Sequence, residues 1–180
     1  MRADGRGAQA LLVVAVVLAY ANAVGASFQF DDYNVIVNNP MVHSWAAWWS
    51  GMPGIRPLLK ASYTANWTGG SGVAGFHEFN IAVHAMNALL VLALVRRLAP
   101  RLGVDASAAF FAALVFALHP AQTEAVTYVS GRSTALMATF CLLAVLAHLR
   151  ANDAHARRRV GDRVASPATV VAWRALSGLA

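Results

Sequence analysis

The chain has 180 residues, of which 58% are hydrophobic and 12% are charged, whereas about 25% of the residues in a typical soluble domain are charged. The formal net charge is +6, but the arginines fall in separate clusters between apolar runs, without the continuous basic stripe that contacts a nucleic-acid backbone. The composition therefore indicates a protein surrounded by lipid and argues against nucleic-acid binding.

Four apolar runs are long enough to suggest membrane-spanning helices, which need about 20 mainly apolar residues. They cover residues 8–27, 80–98, 104–119 and 134–149. The third run is the shortest and also fits a tilted or re-entrant segment. A weaker apolar stretch begins near Ala168 and reaches the end of the sequence, so we expect the start of a further span there.

The first run also fits a cleaved signal peptide, since it has a basic start and small residues around Ala21 to Ala23. Its apolar stretch exceeds the usual core of about 7 to 15 residues in a signal peptide, and further spans follow. We therefore predict an uncleaved span.

Positive charges predict the orientation of these spans, because cytoplasmic loops carry an excess of Lys and Arg. Arginine clusters precede the first run and follow the second and fourth runs. Four crossings in turn place all of these clusters inside the cell. Residues 28–79 and 120–133 then form external loops, and residues 151–180 begin as a basic cytoplasmic connector.

The large external loop contains an aromatic cluster of Trp45, Trp48 and Trp49. Trp and Tyr prefer the membrane interface, so this loop suits short amphipathic helices. We therefore expect an all-α integral membrane protein with about four transmembrane helices and a large external loop of short amphipathic helices.

Two adjacent carboxylates, Asp31 and Asp32, follow the first span on the external side. A carboxylate pair at the mouth of a membrane cavity can act as a general base toward an incoming hydroxyl group. An Asp-Asp pair before Tyr33 is also common in turns that are exposed to solvent. The sequence physics leaves both interpretations open.

The second span carries a polar stripe formed by His77, Asn80, His84 and Asn87, which share one helix face. Such side chains either line a cavity or form hydrogen bonds to neighbouring helices as packing contacts. Packing is the favoured interpretation for His84 and Asn87. His77 and its neighbour Glu78 lie at the external end, where they are better placed to meet a ligand.

The segment HPAQTEAVTYVSGRS, residues 119–133, brings His119, Glu124 and Arg132 into the second external loop. Pro120 is expected to end the third helix. The planar fork of Arg132 suits a phosphate group at the interface, although Arg132 also fits an interfacial anchor or an ion pair with Glu124. Arg56 is a further external cation. No ligand spacing is strong enough to predict a metal site.

Four segments in order, FDDYNVIVNNP, GIRPLLKASYTANW, GFHEFNIAVHAMNALLVLALVRRL and AALVFALHPAQTEAVTYVSGRSTALMATFCLLAVL, closely resemble the N-terminal membrane region of the transmembrane and tetratricopeptide-repeat O-mannosyltransferases. The resemblance covers roughly residues 8–150. It implies a glycosyltransferase bundle of the GT-C type.

The resemblance implies transfer of mannose, or a related sugar, from a polyprenyl or dolichyl phosphate to a Ser or Thr hydroxyl of a protein. Asp32, with Asp31, matches the motif that supplies the acidic catalytic residue, and Asp32 is the expected base. Arg132, Glu124, His119 and Arg56 are the candidates for positioning the donor phosphate. The lipid-linked sugar is a substrate, so no cofactor is predicted, and the need for a divalent cation is left open.

Members of this family continue through more spans and a run of tetratricopeptide repeats, so the 180 residues are expected to be a fragment or a degenerate relative. The alternative from another class is a non-enzymatic membrane protein that binds a partner or a lipid head group, and a solute transporter is a weaker one. The Ala- and Arg-rich composition favours a bacterial inner membrane with the loops in the periplasm. In a eukaryote, the loops would lie in the lumen of the endoplasmic reticulum.

Overall fold

The computed structural model describes residues 5–51 and 56–164, and within these ranges the regular secondary structure is entirely helical. Its α-helices are α1 (Gly5–Tyr20), α2 (Trp45–Ser50), α3 (Pro57–Thr68), α4 (Gly72–Leu102), α5 (Ala106–Leu118), α6 (Thr123–Thr127) and α7 (Arg132–Val164). Short helical turns join them at Ala21–Gly25, Tyr33–Val37, Pro40–Val42, Pro120–Gln122 and Val129–Gly131. The expected further span near Ala168 lies outside the described residues.

Three segments of the described chain are long and apolar enough to cross a membrane: Gly5–Gly25, Gly72–Leu102 and Val129–Asp153. A fourth crossing results if α5 and the segment Pro120–Thr127, which are bent by 50° relative to each other, form one broken span. The all-α membrane fold with three to four spans is therefore confirmed. Two helices extend beyond the predicted spans: α4 begins at Gly72, before Asn80, and α7 continues as a helix through Val164.

The chain divides into two units, Met1–Leu142 and Leu143–Ala180. In the described part of the second unit, the only regular element is the C-terminal portion of α7, which ends at Val164. The predicted basic connector is therefore helical over residues 151–164. The first unit contains all of the residues discussed as a candidate site.

The helix of the third apolar run ends where the sequence predicts it. Helix α5 ends at Leu118, and Pro120 opens the next short turn. Before the break, α5 contacts both α1 and α4. The Ala117 carbonyl of α5 accepts a hydrogen bond from the Tyr20 hydroxyl of α1 at 3.3 Å and lies 2.9 Å from His84 Nε2 of α4. These bonds use the Ala117 carbonyl, one of the free acceptors at a helix C-terminus.

The membrane core of the first unit lies between α1, α4 and α5. Helix α5 presents Ala109, Ala113 and Ala117, which are fully buried and repeat every four residues. Small side chains let membrane helices approach closely and gain packing contacts that lipid cannot supply. The large residues Leu12 and Leu92 of the facing helices fill the space next to them.

A second core lies among the short external helices and consists of Ile36, Val42, Tyr63, Phe76 and Val129. It joins the loop after α1 to α3, to the first turns of α4 and to the turn before α7. The predicted short helices of the external loop are therefore present, although Trp45 and Trp49 are exposed on α2. This core holds the segments that carry Asp32 and Arg132.

Candidate functional site

The two adjacent carboxylates lie in a tight turn that follows the C-terminal end of the first span. The Asp32 N–H donates to the Gln29 carbonyl at 2.9 Å, and the Gln29 N–H donates back to Asp32 Oδ2 at 3.0 Å. The Asp31 N–H donates to the Tyr128 hydroxyl at 2.9 Å. These bonds give the two aspartates different environments, since Asp31 is exposed and Asp32 is only 1% exposed.

The buried carboxylate of Asp32 is held from the second external loop. Its Oδ1 accepts the backbone N–H of Ser130 at 2.8 Å and also accepts the Ser130 hydroxyl. Together with the bond from Gln29, these three donors satisfy a buried charge that would otherwise be costly. Asp32 is therefore fixed in one orientation.

Asp32 lies on the wall of a cleft of about 420 Å³ that also includes Glu124. Gln29, Phe30 and Tyr128 line the same cleft. Glu124 is exposed, so a second carboxylate is available to a ligand in this cleft. The cleft has the chemistry to accept hydrogen bonds from hydroxyl groups and a proton from one of them. The structure thus brings Asp32 and Glu124 together and leaves the Asp31 side chain outside.

Arg132 is fully buried and turned into the protein. Its Nε donates to Asn80 Oδ1 at 2.7 Å, and its Nη2 donates to the Phe76 carbonyl at 3.0 Å. Its Nη1 donates to the carbonyl and hydroxyl oxygens of Ser62 at 3.0 and 3.2 Å. The predicted alternative of an ion pair with Glu124 was wrong, because the guanidinium contacts α3 and α4 while Glu124 lines the cleft.

Three aromatic rings surround the Arg132 guanidinium, those of Tyr63, Phe76 and Phe79, at 5.0, 5.4 and 4.3 Å from its central carbon. Burial raises the pKa of the Tyr63 phenol to about 12, so this neighbour is neutral at physiological pH. Carbonyl oxygens and aromatic faces therefore stabilise the cation in place of a carboxylate. Arg132 joins α3, α4 and the start of α7.

The other two basic residues predicted near the donor phosphate lie outside the Asp32 cleft. Arg56 is exposed at the start of α3, where its φ of 61° is left-handed. It lines a separate cavity of about 490 Å³ with the apolar side chains of Leu136, Met137 and Phe140. His119 is exposed, and its Nδ1 accepts the Ala121 N–H at 3.1 Å, which caps the turn after Pro120.

The polar stripe of α4 serves mainly to join helices. Asn80 donates to the carbonyls of Tyr128 and Val129 at 3.1 and 3.3 Å. Asn87 donates to the Ala135 carbonyl at 2.8 Å and accepts the Thr139 hydroxyl at 2.6 Å. With the bond of His84 to α5, these contacts agree with the packing interpretation of His84 and Asn87.

The external end of the same helix differs. His77 is 1% exposed, and neither of its ring nitrogens has a hydrogen-bond partner. Its ring lies near the backbones of Ala26 and Thr127, two residues of the cleft wall. Glu78 is exposed. Among the described residues, no group of three or more His, Cys, Asp or Glu side chains could hold a metal ion.

Sequence reasoning missed Ser130 and Tyr128, which hold the turn that carries the aspartates, and Gln29 and Phe30 within that turn. The motif YVSGRS contained the signal, because it places a serine hydroxyl and the backbone N–H of that serine just before the start of a helix. The partner of those donors lies 98 positions away. That pairing could not be read from the spacing.

This chain is similar to parts of several larger proteins. It is 33% identical to the protein O-mannosyl-transferase TMTC1 of Mus musculus over 178 residues, which cover 89% of this chain and 19% of that relative. It is 32% identical to the protein O-mannosyl-transferase TMTC4 of Homo sapiens over 161 residues, 75% of this chain and 22% of the relative. The chain is homologous to one part of the length of these protein O-mannosyl-transferases.

A third relative, the protein O-mannosyl-transferase Tmtc2 of Drosophila melanogaster, is 35% identical over 148 residues, 73% of this chain and 15% of that protein. The resemblance found in the sequence is therefore confirmed. The chain spans about a fifth of the length of these relatives. No family model and no solved structure matches it.

Proposed function

We propose that this chain carries the catalytic edge of a membrane glycosyltransferase that transfers mannose, or a related hexose, to Ser or Thr hydroxyl groups of proteins. The observation that carries the proposal is the buried carboxylate of Asp32, which accepts three hydrogen bonds and still lies on the wall of an open cleft. The names of the relatives, protein O-mannosyl-transferases, support the reaction class. The donor we infer is a polyprenyl or dolichyl phosphate sugar, since the cleft lies at the external end of membrane spans.

In this mechanism Asp32 is the general base. The acceptor hydroxyl enters the cleft and gives its proton to the Asp32 carboxylate while its oxygen attacks the anomeric carbon. The bond from that carbon to the phosphate oxygen breaks, and the lipid phosphate leaves with the bonding electrons. Attack on the face opposite the phosphate inverts the configuration. The bonds from Gln29 and Ser130 keep the base oriented, which lowers the entropic cost of reaching this geometry.

The donor phosphate must lie away from the two carboxylates of the cleft, because like charges repel. Arg132 already donates four hydrogen bonds inside the protein, so we assign it to positioning rather than to phosphate binding. Arg56 is the exposed cation with an apolar groove beside it, which suits a phosphate attached to an isoprenoid chain. His119 lies next to Pro120 on the same external side and is a second, weaker candidate.

Glu124 faces the cleft as a free carboxylate, and we assign it to the hydroxyl groups of the sugar. Reaction on the external side places these residues in the periplasm of a bacterium or in the lumen of the endoplasmic reticulum. The arginine clusters that follow the second and fourth predicted spans support that orientation.

Transfer assays in membranes that contain the longest natural protein with this sequence test the proposal. Radiolabelled polyprenyl-phosphate mannose and a nucleotide-linked mannose are compared as donors, with a Ser/Thr peptide and its Ala-substituted control as acceptors. The proposal predicts label in the Ser/Thr peptide from the lipid donor alone. Label from neither donor, with the protein inserted, would favour a non-enzymatic binding protein.

A further inference from the structure

Phe30 has an unusual backbone conformation next to the catalytic cleft. Its φ is 43°, in the left-handed region, which bulky side chains avoid because Cβ crowds the carbonyl oxygen. Phe30 follows Gln29 in the turn closed by the bond from Asp32 N–H to the Gln29 carbonyl. Turns with a positive φ at this position normally use Gly, Asn or Asp there. A phenylalanine is therefore an unfavourable choice for the turn itself.

The surrounding bonds impose this conformation. The turn is fixed inside by the two reciprocal bonds between Gln29 and Asp32. It is fixed from outside by Tyr128, which accepts the Asp31 N–H, and by Ser130, which holds the Asp32 carboxylate. A strained residue persists when its neighbours determine its position in this way, and such residues are concentrated at ligand-binding sites.

The side chain of Phe30 is also unfavourably placed with respect to water. It is 82% exposed, the largest exposed fraction among the large hydrophobic residues of the described chain, and it lines the cleft of Asp32 and Glu124. The fold therefore directs an aromatic ring toward the space that a ligand would fill. A ligand in the cleft would cover apolar area that the protein itself leaves exposed.

The residues beside Phe30 point to the chemistry of this ligand. Asp32, Glu124 and Gln29 accept or donate hydrogen bonds, whereas the phenyl ring offers a flat apolar face. A pyranose ring matches both features, because its hydroxyl groups lie around the edge and its axial C–H groups form an apolar face. A lipid tail in the same cleft would leave the Glu124 carboxylate and the Gln29 side-chain amide without partners.

We propose that Phe30 is the sugar-stacking residue of this cleft: its ring packs against the C–H face of a hexopyranose whose hydroxyl groups bond Glu124 and the Gln29 side chain. This rests on the proposed function and names the part of the donor that the cleft recognises. The strained turn fixes the direction of the Phe30 Cα–Cβ bond before the sugar arrives, so little backbone entropy is lost on binding.

Saturation-transfer NMR with methyl α-mannopyranoside tests the stacking without any need for turnover. The wild-type protein, Phe30→Leu and Phe30→Trp are compared in nanodiscs, with Trp49→Leu as the matched control because Trp49 is exposed but lies outside the cleft. We expect about tenfold weaker sugar binding in Phe30→Leu, from the loss of an aromatic contact. Phe30→Trp and Trp49→Leu should bind like the wild type.

Phe30→Gly provides a second readout that does not depend on the ligand. Glycine removes the strain of the positive φ, so this variant should melt at the same or a higher temperature while it loses sugar binding. Equal binding by the wild type and Phe30→Leu would overturn the inference, as would no binding by the wild type.

These outcomes are separate from those of the transfer assay. If sugar binding depends on Phe30 but the protein transfers no mannose, the proposed function is wrong and Phe30 is still the stacking residue. If the wild type and Phe30→Leu both transfer mannose with the same KM for the donor, the proposed function stands and Phe30 is not the stacking residue.

Discussion

Ser130 holds Asp32 across 98 positions of the chain, through both its backbone N–H and its hydroxyl group. Ser130→Ala removes the hydroxyl bond and keeps the backbone bond. We expect kcat for sugar transfer to fall about ten- to a hundredfold with little change in KM, since a hydrogen bond to a charged group contributes about 1.5–3 kcal/mol. Steady-state kinetics with the lipid donor measure this.

Ser133→Ala is the matched control for that change. The Ser133 hydroxyl donates to the Ser130 carbonyl at 3.3 Å and makes no bond to Asp32. Its kinetics should stay close to those of the wild type. An equal loss of activity in both variants would mean that the segment, rather than the Ser130 hydroxyl, determines the rate.

Replacement of Arg132 by lysine tests its positioning role. A lysine ammonium cannot reach Asn80, Ser62 and the Phe76 carbonyl together, because it lacks the planar fork of a guanidinium group. We expect Arg132→Lys to lower the free energy of unfolding by about 3 kcal/mol or more, as breaking a buried charge network does. Thermal melts in detergent measure the loss.

Arg56→Lys is the comparison, because Arg56 is exposed and should tolerate lysine without loss of stability. Arg56→Gln should weaken donor binding at an unchanged melting temperature. A wild-type melting temperature for Arg132→Lys would contradict the structural role and return Arg132 to the candidates for phosphate binding.

Gly131 lies where two backbone segments touch. A Cβ at this position would clash with the Glu124 carbonyl oxygen and would lie 3.0 Å from the Ala125 Cα. Both neighbours are backbone atoms, so we expect Gly131→Ala to destabilise the protein by about 1–3 kcal/mol through overpacking. Gly25→Ala has open space around its Cβ and should have almost no effect. Equal melting temperatures for the two variants would count against the close approach of α6.

Asp105 caps the N-terminus of α5 and predicts a dependence on pH. Bonds from the Ser107 hydroxyl and the Ala108 N–H hold the pKa of Asp105 below its usual range. A lowered pKa in the folded state gives stability that is complete above the unfolded pKa and is lost as the pH falls through the folded value. The wild type should therefore lose stability relative to Asp105→Asn below about pH 4. Melting temperatures of both proteins between pH 3 and pH 6 measure this, and parallel curves would contradict it.

Much of the fold can be predicted from local sequence, but the ends of two helices could not be predicted in this way. The segment GFHEFN contains His77, Glu78 and Asn80, and polar residues count against a membrane span. Helix α4 nevertheless includes them, because Asn80 finds acceptors in Tyr128 and Val129 that lie 48 and 49 positions away. Hydropathy cannot detect such partners, whereas the break at Pro120 depends on proline alone and was predicted correctly.

The candidate site shows the same division between local and distant information. The sequence marks the Asp31–Asp32 pair, but which carboxylate enters the protein depends on the left-handed φ of Phe30 and on a serine from another loop. The sequence also marks Arg132 as an external cation. Its burial depends on acceptors from α3 and α4, at separations of 52 to 70 positions, which no local pattern contains.

The most direct test of the account compares the two neighbouring carboxylates in one transfer assay. Asp32→Asn and Asp31→Asn each remove one charge from the same turn, but only Asp32 lies on the cleft wall. We predict that Asp32→Asn abolishes transfer of mannose from polyprenyl-phosphate mannose, while Asp31→Asn retains most of it and both proteins insert normally. Wild-type transfer by Asp32→Asn, or loss of transfer in Asp31→Asn alone, would contradict the assignment of Asp32 as the base.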